Sequence, residues 1–410
     1  MRQLFKKATR FLFYFVLLPI AVVFLSTIVL KARYIKRDFS NPRFLFGSTP
    51  IISFSHWAKL LVSSGFSAKS FVSGVYSING KSDWDIIQNR SSNEIVNVIR
   101  LFRNFADSLL RFDVFVMSCD GFLIGQTKLW RLQSVLLQLS GCKTIVFPYG
   151  GDSYVYSNVK SNLTLHGLML SYPDAARKQG KISKQVQYWV KNADVFIPGP
   201  MGLDGFGRWD VPTPSPFQID LDFWKKSERQ NHADGKSGEV VVVHAPNHRG
   251  FKGTELISKI IGELKQEGLK IKFVLLENFK NSEVKVILTS QADILIDQIL
   301  ATGYALNAVE GMASGIPVIS NLENKESLEY LRIWSFLNRC PIVSADYSNI
   351  KHRLRTLIES PDIRSQVGLE SRKYAEDFHG KDACKLLFTS ILAKLNDKNF
   401  DLQRIYESKI

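Results

Sequence analysis

The pattern of apolar and polar positions divides the chain into three stretches. The first is one run, Phe11 to Leu30, twenty residues without a charge. At ~1.5 Å per residue a helix of that length covers ~30 Å, the thickness of one hydrocarbon layer. The run therefore predicts an N-terminal membrane helix. A cleaved signal peptide would have a shorter apolar region and end in a small-x-small site. This run ends Val29-Leu30-Lys31-Ala32, which fits that pattern poorly. Pro19 can kink the helix, so a re-entrant hairpin stands beside a single span.

Beyond residue 40, short apolar runs alternate with amphipathic stretches. Pro50–Phe54, Ala68–Ser73, Asp113–Ser118, Lys143–Phe147 and Ala193–Ile197 predict strands. His56–Ser64, Gln126–Leu139 and Lys184–Lys191 predict helices. A break follows at Pro198-Gly199-Pro200-Met201-Gly202 and Pro212-Thr213-Pro214-Ser215-Pro216, and then a polar stretch without periodicity. The alternation restarts with strands at Glu239–Ala245, Lys270–Leu276, Ala292–Ile296 and Ile316–Ser320, and helices at Thr254–Gln266 and Ala305–Ala313. Strands alternating with helices imply parallel sheets with crossover helices. The expected fold class is α/β, with two tandem Rossmann-like domains, an interdomain cleft and the N-terminal membrane helix. The expected divisions are an anchor with basic flanks at 1–40, a first domain at 41–224, a linker at 225–238, a second domain at 239–380 and a helical return segment at 381–410.

Charge and composition narrow the partners. The formal net charge is +15, and the first forty residues hold eight basic side chains against Asp38 alone. That excess flanks the apolar run, where it would meet lipid headgroups. Four basic residues lie on each side, so the positive-inside rule does not orient the anchor. No basic stripe carries interleaved aromatics, so no nucleic-acid partner is expected. The four cysteines are scattered, as expected of reduced thiols in a cytosolic compartment. The catalytic domains are therefore expected on the cytoplasmic face of a membrane. No histidine or cysteine cluster suggests a metal. Asp83-Trp84-Asp85 and Asp220-Leu221-Asp222 have the letters of a metal-binding pair, but neither follows a buried strand.

Two strand-to-helix loops in the second domain carry chemistry. The loop His244 to Thr254 contains Arg249, Lys252, Gly250 and Gly253 before a helix. Helix N–H groups and two cations suit a diphosphate; a solvated turn with chance basic residues is the alternative. The second loop is Thr302-Gly303-Tyr304-Ala305, placed where a helix starts, with Glu310 two turns further along. That spacing of ~10 Å suits a diphosphate at the helix start and ribose hydroxyls at the carboxylate; an exposed glutamate is the alternative. In the first domain, Tyr149-Gly150-Gly151-Asp152 follows a strand. There Asp152 either orients an acceptor hydroxyl or caps a helix. Asp120 in Cys119-Asp120-Gly121 is a weaker candidate, His166 more often a structural histidine, and Arg208 and Asp210 have no clear role.

Glu310-Gly-Met-Ala-Ser-Gly-Ile-Pro-Val-Ile resembles the signature of the large group of retaining GT-B glycosyltransferases, whose usual form is Glu-Ala-Met-Ala-x-Gly-x-Pro-Val. Ala292-Asp293-Ile294-Leu295-Ile296 resembles the strand before it. Pro361-Asp362-Ile363-Arg364 through Phe378-His379 resembles the family's last helices, and His56-Trp57-Ala58-Lys59-Leu60-Leu61 its first. The resemblance covers most of 240–395 and the first domain loosely. It implies a retaining transferase with no cofactor, using a nucleoside diphosphate sugar as donor and a glycan or lipid-linked acceptor, as in surface polysaccharide or glycoconjugate synthesis. It implies that Arg249 and Lys252 bind the donor diphosphate, that Gly303, Tyr304 and Ala305 offer backbone N–H groups, and that Glu310 holds the ribose. Asp152, Arg249 and Lys252 are the expected catalytic residues. Two departures stand out: Thr302 occupies the place of the family's first glutamate, and Arg249 and Lys252 are three apart where the family's pair is usually five. The missing glutamate supports one alternative, a non-catalytic anchored subunit that binds a nucleotide sugar or a partner enzyme; a second alternative, against which the anchor argues, is a related enzyme, a nucleotide-sugar 2-epimerase.

Overall fold

The computed structural model of the chain describes residues 18–199, 206–228 and 230–409, which form two parallel sheets. The first contains β1 (Arg43–Ser48), β2 (Ser67–Val72), β3 (Ile86–Ile87), β4 (Val114–Met117), β5 (Lys143–Val146) and β6 (Val195–Phe196), in the order β3-β2-β1-β4-β5-β6. The second contains β7 (Val240–His244), β8 (Ile271–Leu275), β9 (Ile294–Gln298), β10 (Val318–Ser320) and β11 (Val343–Ser344), in the order β11-β10-β9-β7-β8. Strands such as β4 and β7 are buried along their whole length, as parallel strands covered by helices on both faces must be. Each order reverses once, between β1 and β4 and between β7 and β9. In open α/β sheets the crevice beyond such a reversal, at the carboxyl ends of the strands, is where ligands bind.

The first domain carries α1 (Leu18–Arg33), α2 (Ile52–Ser63), α3 (Glu94–Arg111), α4 (Leu132–Leu139), α5 (Asn162–Ser171), α6 (Pro173–Arg177) and α7 (Gln179–Asn192). Three sequence expectations change here. Pro50–Phe54 is not a strand: the first strand is Arg43–Ser48, and helix α2 starts at Ile52. Phe54, Trp57, Ala58 and Leu61 are all buried at helical spacing, so the apolar run is the start of a helical stripe. The predicted helix Gln126–Leu139 is helical only from Leu132, after a separate 3-10 turn over Leu123–Gln126. Helix α3 has no counterpart in the expectations. Asn93 caps it by accepting from the Ile95 and Val96 amides, and Phe102, Phe105 and Leu109 face the core.

Of the expected membrane helix, the described part is α1, sixteen residues long; residues 1–17 lie outside the described residues. Among the described residues no helix is long and apolar enough to cross a membrane. Helix α1 buries Leu25, Val29 and Ala32 against α3 and α4. Its outer face leaves Ile20 (61%), Val23 (67%) and Leu30 (59%) open. Just beyond it, Arg37 fixes the chain to the domain. Its guanidinium pairs with Asp113 at 2.7 Å and donates to the carbonyls of Leu109, Phe112 and Ser140. Arg43 grips the same Asp113 carboxylate from β1 at 2.9 Å.

The second domain carries α8 (Arg249–Lys252), α9 (Thr254–Gln266), α10 (Asn281–Ser290), α11 (Leu306–Ala313), α12 (Lys325–Trp334), α13 (Ile350–Glu359), α14 (Pro361–Phe378) and α15 (Lys381–Asn396). Helix α15 returns to the first domain and packs on α2. There the Phe388 ring meets Phe44, Phe46 and Trp57 at 5.7, 5.7 and 5.4 Å. Helix α15 is thus part of the core under β1, and the two domains share a continuous apolar cluster.

Candidate active site

The carboxyl ends of the two sheets face each other across a cavity of about 250 Å³. Tyr149 and Gly150 line it from the loop after β5, and Tyr154, Lys160, Ser161, Thr164 and Tyr172 from the segment that follows. Across the cavity stand Asn247 and Lys252 from the loop after β7, Gln298 at the end of β9, and Thr302, Tyr304, Ala305 and Leu306 from the segment that follows. Thr302, Tyr304, Ala305 and Lys252 therefore share one cavity, although they come from two loops about fifty residues apart in sequence.

Helix α5 closes directly over the β7 loop. Gly167 and Gly250 meet: a Cβ on Gly167 would come within 2.8 Å of the Gly250 carbonyl oxygen, so neither position has room for a side chain. The Phe251 amide donates to Ser171 Oγ at 2.9 Å, and Thr164 Oγ1 to the Leu300 carbonyl at 3.2 Å. Ring contacts add Tyr172 on His248 (4.2 Å) and Tyr154 on Phe251 (5.6 Å). Sequence reasoning misses this side of the cavity. Its signals are present: Ser161 caps α5 by accepting from the Thr164 amide, and a glycine inside a helix, Gly167, marks a close approach.

Lys252 is 5% exposed and already paired. Its ammonium donates to Asp297 at 2.6 Å and to Gln298 at 2.9 Å. The other oxygen of Asp297 accepts the Ala305 N–H at 3.0 Å. The Gly303 amide donates to the Asn321 carbonyl at 2.8 Å. Two of the three N–H groups expected for a donor thus have partners within the protein. These two bonds tie Gly303 and Ala305 down ahead of the helix, so α11 starts at Leu306 and Gly303 lies upstream of the helix, not at its first turn. Tyr304 sends its ring into the cavity wall, while its buried hydroxyl meets Tyr374 at 3.0 Å and His379 at 3.2 Å.

Arg249 is more open. It pairs with Glu255 and Glu277, each at 2.7 Å, and these partners hold its guanidinium firmly in the charged state. Such exposed pairs contribute at most about 1 kcal/mol each, so exchange for another anion is inexpensive. Glu310 is 6% exposed, and its side-chain partner is Asn281 Nδ2, at a long 3.5 Å. Burial pushes its carboxyl up to about 8; the bond from Asn281 opposes that rise, and the nearby Asp297 charge adds to it.

In the first domain, Asp152 is buried and accepts from the Cys119, Tyr149 and Gly150 amides at 2.9, 3.1 and 3.0 Å. It staples the loops after β4 and β5 together. Burial raises its carboxyl, and the neighbouring Asp120 raises it further. Asp120 is raised by burial as well, against Lys181 and Lys178. Arg208 and Asp210 pair with each other at 2.6 Å, and Arg208 also donates to the Val190, Ala193 and Asp194 carbonyls, away from the cavity. His166 is exposed on α5. Among the described residues no group of three metal-ligating side chains occurs.

No protein-family model matches this chain, and no curated protein matches it by sequence. Solved structures do. An alpha-glucosyltransferase in complex with UDP and a 13-mer DNA superposes with a TM-score of 0.53 at 10% identity, covering 86% of this chain and all (100%) of that one. MnaA of S. aureus in its UDP co-structure gives 0.46 at 11% identity over 86% and 96% of the two chains. The glycosyltransferase SnogD from Streptomyces nogalater gives 0.41 at 12% identity over 87% and 99%. With the first of these the chain shares its architecture: two parallel α/β domains facing across a cleft, the GT-B fold of glycosyltransferases.

Proposed function

We propose that the chain transfers a sugar from a nucleoside diphosphate sugar to a hydroxyl of a glycan or lipid-linked acceptor, with retention at the anomeric carbon. What carries the reading is the convergence at one cavity of the β7 loop, the segment before α11 and the Tyr149–Gly150 turn. The donor diphosphate lies along the β7 loop, with Arg249 leaving its glutamates to meet it and Lys160 adding charge from the opposite wall. Lys252 and Asp297 are neutral as a pair, so the ammonium orients the phosphates without holding a full excess charge. Glu310 takes the ribose, and the acceptor enters from the side of Tyr149, where Asp152 shapes the turn.

Membranes from cells making the full chain are expected to incorporate label from a radiolabelled nucleoside diphosphate sugar. Arg249→Ala and Glu310→Ala are each expected to lower incorporation by ~100-fold or more. Equal incorporation by all three proteins would remove both residues from the site.

Thr302 supports a second reading. It lines the cavity where the resembling family has a glutamate, which suits a subunit that binds the donor without transferring it. Nucleotide binding by purified protein with no transfer to any acceptor in those membranes would favour that reading.

The chain is further proposed to be tethered at the cytoplasmic face of a membrane, with the open apolar face of α1 continuing the run that begins at Phe11. On this reading the protein stays in the membrane pellet after an alkaline carbonate wash. Release into the supernatant would overturn the tether and leave the site assignment intact.

A further inference from the structure

Glu310 sits in a polar cluster that the protein leaves unsatisfied. Asn307 stands three residues before it on α11, so both lie on one face of the helix. Opposite them is Asn281, the first residue of α10, whose side-chain amide makes the 3.5 Å contact to Glu310. Among the described residues, Asn281 Oδ1 and Asn307 Nδ2 are both buried without a hydrogen-bond partner. The neighbouring cation Lys252 is committed to Asp297. A buried polar atom left unpaired costs roughly 1–3 kcal/mol, so two such atoms beside a carboxyl that holds only one long bond are an expensive arrangement unless something fills it.

The missing partner can be read from donor and acceptor types. Glu310 and Asn281 Oδ1 accept, and Asn307 Nδ2 donates. A phosphate offers acceptors only and leaves Asn281 Oδ1 without a donor. A vicinal diol fits: its two O–H groups donate to Glu310 and Asn281, and a hydroxyl oxygen accepts from Asn307. We propose that Asn281 and Asn307 complete a three-armed clamp with Glu310 for the ribose diol of the donor, and that the two asparagines set the preference for ribo- over 2′-deoxyribonucleotides. This rests on the nucleotide-sugar reading above and adds to it two specificity-determining residues.

The test is calorimetric titration of the purified full chain with UDP, ADP, GDP and CDP, their 2′-deoxy counterparts, and the matching nucleoside diphosphate glucoses. At least one ribonucleotide is expected to bind about tenfold or more tighter than its 2′-deoxy form. In Asn281→Ala and Asn307→Ala that ratio is expected to fall toward one, with the 2′-deoxy affinity nearly unchanged. Because the readout is a ratio within each protein, a partly unfolded variant does not mimic the effect. Equal binding of ribo and 2′-deoxy forms by wild type, or an unchanged ratio in both variants, overturns the clamp alone. Variants that lose only the added affinity of the glucose-bearing nucleotide overturn the ribose assignment, because the diol is then the glycosyl one. Binding of no nucleotide by wild type overturns the nucleotide reading and the clamp with it.

Discussion

Lys252→Met is expected to destabilise the protein by about 3–5 kcal/mol, because it leaves the Asp297 carboxylate buried without its cation. Asp297 has no exposed side-chain surface and Lys252 has 6%, so water cannot replace the lost partner. The double variant Lys252→Met/Asp297→Asn is expected to recover most of that loss. Asparagine removes the unpaired charge, and its side-chain oxygen still accepts the Ala305 N–H that sets the start of α11. Urea unfolding of the three proteins measures both numbers. A single variant within ~1 kcal/mol of wild type, or a double variant no better than the single one, would show that the pair is not buried and dry as described. Transfer activity should not recover in the double variant if the ammonium also orients the donor, which separates its two roles.

The second large effect concerns pH. Burial holds the Glu310 carboxyl at about 8 in the folded state, against an ordinary value of 4.5. The folded protein therefore keeps a proton that the unfolded chain releases. Stability falls as pH rises from about 4.5 to about 8, and this contribution is flat above that range. At roughly 1.4 kcal/mol for each pH unit between those two values, the loss amounts to a few kcal/mol. Glu310→Gln, which cannot titrate, is expected to remove this share of the slope. Asp152, also raised, contributes a residual slope of the same sign. The measurement is the unfolding free energy of both proteins at several pH values from 5 to 9. Parallel curves would mean that Glu310 is solvated in the folded state. A bound diol donates to the carboxylate and favours its charged form, so ligand binding near neutral pH should release a proton.

Several elements are legible in the sequence because local pattern and tertiary environment agree. Val240–Val243 is an unbroken apolar run inside the expected strand Glu239–Ala245, and Val240–His244 becomes a strand buried at every residue. Thr254–Gln266 is legible to the residue, with Ile257, Ile260, Ile261 and Leu264 on one face. Pro50–Phe54 misleads because five residues of an apolar run do not separate a strand from the first turn of a helical stripe. Helix α3 escapes the reading although Asn93 and the Phe102–Phe105–Leu109 spacing mark it. At the candidate site, the sequence indicates which loops reach the cleft but not how their charges are used. Nothing in the spacing of Arg249 and Lys252 tells that one is exposed beside two glutamates and the other buried against Asp297. The Lys252–Asp297 pair depends on β9 lying next to β7, and the Arg249–Glu277 pair on β8 lying on the other side of β7, neighbour relations that exist only once the sheet has formed. The same holds for Asn281, which meets Glu310 from another helix.

Arg37 has a consequence for how the enzyme would work at a surface. A transferase on a flexible leash samples many heights and angles, and its local substrate concentration is diluted over that volume. Here nine residues separate α1 from β1, and Arg37 among them bolts the connection to the ends of α3 and α4. The helix is a bracket. On the proposed tether, whatever holds α1 also sets the tilt and height of the cleft, and the acceptors within reach would be those presented at one fixed distance from that surface.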